Sequence, residues 1–178
     1  MSTLINSDNF DDSLKIAAGY SKSANILMKN IGQTRNSEIV HSMIVLRALA
    51  LEIYLRCLYA VEHDKAYEGH HVKQIYDALG EETKRKVKEY YDRNLADSEF
   101  IKMTHAKHNE IKGSAPTLDL DHVLQEWAEA MGDWRYFFEP KHKVVFLTFG
   151  ETEKALLQTL RDVKERNMAG ATTELKAA

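Results

Sequence analysis

The chain has 178 residues, 44% hydrophobic and 29% charged, with a formal net charge of −3. That excludes a disordered or collagen-like chain, and it supplies enough residues for one domain with its own core. It also excludes a globally basic nucleic-acid binder, leaving only a local basic patch open.

Only two Pro and eight Gly interrupt the chain, so long segments are expected, and long segments favour helix. Cys57 is the single cysteine and cannot form an internal disulfide, which suits a buried thiol in the reducing cytoplasm. Residues 1–10 lack a basic stretch followed by an apolar core, so no signal peptide is expected. Residues 1–8 read as a flexible start, 9–167 as one helical domain and 168–178 as a flexible tail.

Ser7 or Asp8 can cap a first helix over about 9–30. Phe10, Leu14, Ala17 or Ala18, Ser21, Ala24 or Ile26, Leu27 with Met28, and Ile31 recur at helical spacing, and Gly32 is the expected stop. The short link that follows implies an antiparallel second helix.

That second helix, Ile39–Val61, holds the longest apolar run, with Ser37 as its expected cap. At about 1.5 Å per residue such a helix crosses a small domain. Arg47, Glu52 and Arg56 lie within it, and three charges near the middle argue against a membrane span. It therefore reads as the central helix of a bundle. Glu52 and Arg56 are spaced i, i+4. They form either a structural ion pair or a pair in which Glu52 orients an arginine from another helix, since a carboxylate among apolar residues needs a partner.

After a polar connection, Val72, Ile75, Tyr76 and Leu79 make the apolar face of a short helix stopped by Gly80. Glu81–Asn94 is a further helix, with Val87, Tyr90 and Tyr91 inward and a basic cluster of Lys84, Arg85, Lys86 and Lys88. That cluster reads as a solvated face or as a phosphate contact. Ser98 can cap a helix over Glu99–Lys112, anchored by Phe100, Ile101, Met103 and Ile111, with Gly113 and Pro116 beyond its end. Its His105 and His108 share a face, but nothing nearby completes a ligand set, so no metal is expected.

Leu120, Val123, Leu124, Trp127, Met131, Trp134 and Phe138 follow helical spacing, and Pro140 is expected to end or kink that helix. Lys143–Phe149 is β-branched and aromatic; without a second strand it is expected to be a packed loop or to lead into a helix. The last helix is expected over Glu151–Asn167, with Ala155, Leu156, Leu160 and Val163 inward. The fold class is therefore all-α, an up-and-down bundle of four to five main helices with short accessory helices.

Three pieces stand in order: Ala48-Leu49-Ala50-Leu51-Glu52-Ile53-Tyr54-Leu55-Arg56, then Gly69-His70-His71-Val72 with Ile75 and Leu79, then Trp134-Arg135-Tyr136-Phe137-Phe138-Glu139. The order resembles HEPN domains (higher eukaryotes and prokaryotes nucleotide-binding) over roughly residues 38–142. His71-Val72 stands where that family carries His-Asp-Leu. The family's ribonuclease members carry an Arg, four to six residues, then a His; here Arg135 and His142 have six residues between them. Tyr136 stands where active members usually have a polar residue, and Pro140 falls between Arg135 and His142.

The resemblance implies a homodimer, with RNA or a nucleotide as ligand and a nucleotidyltransferase as a possible partner. It supports two readings. In one, the chain is a dimerisation or binding module in which Glu52, Arg56 and Arg135 form a structural ion-pair set. In the other, it is a metal-independent endoribonuclease, with His142 moving the proton and Arg135 holding the phosphate at a composite site between two subunits. Lys141 and Lys143 would add phosphate attraction, and His70 and His71 would flank a nucleotide or phosphate groove. Neither a Walker nor a dinucleotide pattern is present, and no cofactor is expected.

Overall fold

The computed structural model describes residues 5, 9–34, 39–112, 117–134 and 148–177. Among them the chain forms seven helices and no strand: α1 (Phe10–Thr34), α2 (Val40–His63), α3 (Val72–Asp77), α4 (Glu81–Asp97), α5 (Glu99–Lys112), α6 (Leu120–Trp134) and α7 (Phe149–Ala177). The protein is an all-α helical bundle, and no described helix is long and apolar enough to cross a membrane.

Helix α2 is apolar nearly all round, and the bundle buries it accordingly. Helix α1 runs antiparallel to it, as the short link requires: Met28 lies against Arg47, and Ser21 lies beside Tyr54. Helix α7 runs parallel to α2, with Phe149 at the level of Arg47 and Glu153 at that of Tyr54. Helix α4 runs antiparallel to α7, since Lys86 and Tyr90 reach Asp162 while Asn94 reaches Gln158 and the Glu151 carbonyl. Trp127 of α6 closes the core, edge-on to Phe149 at 5.9 Å between ring centroids.

The helical spacing of α3 and α7 is borne out: Val72, Ile75, Tyr76 and Leu79 are buried, as are Ala155, Leu156, Leu160 and Val163. On α1 the open alternatives resolve to Ala17 and Ala24, while Ile26 is exposed. Gly32 does not stop α1, which continues to Thr34. A helical glycine costs only about 1 kcal/mol, so it permits an end without forcing one. The expected cap of α2, Ser37, lies outside the described residues. The described residue before α2 is Ile39, whose carbonyl accepts from Met43 N at 3.1 Å and whose side chain makes no capping bond. Helix α4 runs past Asn94 to Asp97, and α7 runs past Asn167 to Ala177.

Helix α5 has the expected bounds but only part of the expected anchoring, and the side chain of Ile111 lies outside the described residues. Ile101 is buried, whereas Phe100 and Met103 are 64% and 71% exposed. Helix α5 meets chiefly α4, so one face suffices to hold it, and residues 100° or 200° away around the helix point outward.

Candidate functional site

The polar residues of α2 become a site because the chain doubles back along the helix. Asp64 takes the left-handed conformation (φ 49°) and ends α2. The segment 64–70 returns beside the helix that it has just left, and α3 then climbs again until the Ala78 carbonyl meets His63 Nε2 at 3.2 Å. Gly69 has φ +134°, and a Cβ there would sit 3.1 Å from the Tyr67 ring, so glycine is needed at this bend.

The bend delivers His70 to Glu52. His70 Nδ1 lies 2.8 Å from Glu52 Oε1. An ionised carboxylate only accepts, so the imidazole donates to it through Nδ1. Arg56 Nε stands 3.2 Å from the same oxygen, at ion-pair distance but without hydrogen-bond alignment. Arg56 Nη2 donates to the Gly69 carbonyl and lies 3.3 Å from His70 Nδ1. The side chains of Glu52 and Arg56 are each only 7% exposed, against 55% for His70. The result is a closed clasp: a buried carboxylate and guanidinium pair, a backbone carbonyl, and one imidazole that is more than half exposed.

Glu52 thus pairs with Arg56, as the i, i+4 spacing predicts, and with His70, which the spacing did not reveal. His71 does not join the clasp. It caps α3, with Nδ1 accepting from Gln74 N at 3.4 Å. Arg135, Lys141, His142 and Lys143 lie outside the described residues. The side chains of His105 and His108 also lie outside them, and no group of three or more described His, Cys, Asp or Glu residues is placed to hold a metal. The basic cluster on α4 is spoken for by carboxylates: Lys84 by Glu81, Arg85 by Glu82 and Glu89, Lys86 by Asp162, and Lys88 by Asp92. This pairing suits a solvated structural face better than a phosphate contact.

Two further polar features were not legible in the helical pattern. Glu62, near the end of α2, caps α4 from outside, accepting from Gly80 N at 3.0 Å and from Thr83 Oγ1 at 2.9 Å. Between α1, α2 and α7 runs a buried polar seam. Tyr54 OH donates to Glu153 Oε1 at 3.1 Å, and burial together with the Glu153 charge pushes the phenol well above its ordinary range. In the same seam Arg47 is 4% exposed, with its guanidinium 4.7 Å from the Phe149 ring centroid. Burial lowers its pKa, an effect opposed by the charges of Glu153 and Glu151.

No known protein-family model matches the chain, and neither does any curated protein or solved structure.

Proposed function

We propose that the chain is a HEPN-like helical dimerisation and binding module that engages RNA or a nucleotide without cleaving it. The observation that carries this reading is the clasp. Its buried guanidinium is spent on Glu52 and the Gly69 carbonyl, so Arg56 braces the fold rather than meeting a phosphate. The half-exposed His70 imidazole is left as an outward contact beside it. Such a site suits recognition through one imidazole on a rigid frame, with affinity added by a second subunit.

The test is a solution mass together with fluorescence anisotropy of labelled single-stranded RNA and of a labelled nucleotide at two salt concentrations. The expected result is a dimer that binds one of these ligands, more weakly at high salt, with the RNA left intact. His70→Ala is expected to weaken that binding. A monomer that binds neither ligand would overturn the proposal.

A second reading, metal-independent RNA cleavage at Arg135 and His142 of two subunits, rests on the sequence resemblance and is separated by the same RNA assay. RNA cut by the parent but not by Arg135→Ala or His142→Ala would favour this reading over simple binding.

A further inference from the structure

Arg47 is a buried cation without a carboxylate at ion-pair distance among the described residues. Its Nε has no hydrogen-bond partner among them, and its Nη2 donates to the thioether of Met28, with 3.1 Å between nitrogen and sulfur. A thioether is a weak acceptor, so the guanidinium is held in a low-dielectric seam with less hydrogen bonding than a buried charge requires. The charges of Glu153 and Glu151 act on it, but neither supplies an ion pair within 4 Å. Met28 itself is not enclosed. Its side chain leaves the residue 40% exposed at the α1–α2 edge, within reach of small solutes.

We propose that Met28 is a site of reversible oxidation to the sulfoxide, and that oxidation strengthens the contact between α1 and α2. The oxidant is a peroxide. The sulfur lone pair attacks one peroxide oxygen, the S–O bond forms as the O–O bond breaks, and the departing oxygen leaves as water with both protons. Sulfur is oxidised by two electrons and the peroxide is reduced. The 3.1 Å gap between Nη2 and sulfur leaves no room for an oxygen, so the flexible Met28 side chain must withdraw its sulfur towards solvent and turn the new oxygen, a strong acceptor, onto the Arg47 Nη2 donor. A charge-assisted hydrogen bond thereby replaces a weak one. This reverses the usual direction, in which a sulfoxide disrupts the apolar contacts of its methionine. The inference does not depend on any RNA or nucleotide ligand.

The experiment treats the parent, Met28→Leu and Met103→Leu with dilute hydrogen peroxide, maps oxidation by peptide mass spectrometry, and records thermal unfolding before and after. Met103 is 71% exposed and will oxidise as well, so Met103→Leu removes its share of the background, and Met28→Leu controls for every other methionine. Met43 is buried and serves as the internal unreactive control. The expected result is oxidation at Met28 in the folded parent, a Tm rise of about 2–4 °C in the parent and in Met103→Leu, and no rise in Met28→Leu. Methionine sulfoxide reductase should return the Tm to its starting value. Met28→Gln, which supplies an amide oxygen at the same place, should melt above Met28→Leu without any oxidant. The proposal is overturned if Met28 stays unmodified while Met103 reacts, if oxidised Met103→Leu melts no higher than before, or if Met28→Leu gains as much as the parent.

Discussion

Replacing Glu52 by Ala removes the acceptor shared by Arg56 and His70. The two α2 side chains are each 7% exposed, so solvent screens the abandoned guanidinium very little. Breaking a buried pair from one side costs about 3–5 kcal/mol, because the surviving charge stays buried. The Gly69 carbonyl remains as a partner for Arg56, which places the expected loss near the lower bound. A loss of about 3 kcal/mol corresponds to a Tm drop of about 6–12 °C for a chain of this size. Urea denaturation of the parent, Glu52→Ala, Arg56→Met and the double variant measures it directly. The double variant buries no orphan charge and should be more stable than Glu52→Ala alone. His70→Ala should cost less than about 1 kcal/mol, since the imidazole is more than half exposed and its pairing is weakened by water. If Glu52→Ala costs under about 1 kcal/mol, the value of an exposed pair, or if the double variant equals the sum of the singles, the clasp does not hold the fold as argued.

Burial pushes the Cys57 thiol up to about 12. A thiol-specific disulfide reagent at pH 8 should therefore leave the native protein unlabelled and react only on unfolding; rapid native labelling would contradict the burial. At Asp162, burial raises the carboxyl, but the Tyr90 hydroxyl and Lys86 more than offset it and leave its pKa below the ordinary 3.8. A depressed folded pKa means that this contribution is present above the unfolded value and is lost as pH falls through the folded one. The stability gap between the parent and Asp162→Asn should be present at pH 6 and close towards pH 2, as read by denaturation at a series of pH values. A gap that stayed constant across that range would refute the assignment.

The helices were readable where apolar spacing alone decides the outcome. Val72, Ile75, Tyr76 and Leu79 gave α3 its inner face, and Ala155, Leu156, Leu160 and Val163 gave α7 its own. Helix α5 shows the limit. Lys112 marks its end, yet Phe100 and Met103 at helical positions proved exposed, because periodicity describes a helix and not the neighbours available to cover it. Glu52 and Arg56 were visible as a pair, since i, i+4 is fixed by helix geometry. His70 was not visible as their partner. Its place depends on Asp64 and Gly69 turning the chain back, and neither turn has a periodic signature. Glu62 carries no periodic signature; its capping role exists only because α4 begins, in space, beside the end of α2.

The doubled-back segment also divides α2 by the time at which its surroundings can form. Glu52 and His70 are 18 residues apart in sequence, and Arg56 and Gly69 only 13. Tyr54 and Glu153, on another face of the same helix, are 99 apart. Loops of about ten residues close in roughly 10–100 ns, whereas distant pairings wait for a larger loss of chain entropy. The clasp is thus a contact that the chain can make before α7 arrives, and it would hold the C-terminal half of α2 against the returning segment 64–70 while the other side stood open. Helix α7 then docks on a helix whose register is already set on one side.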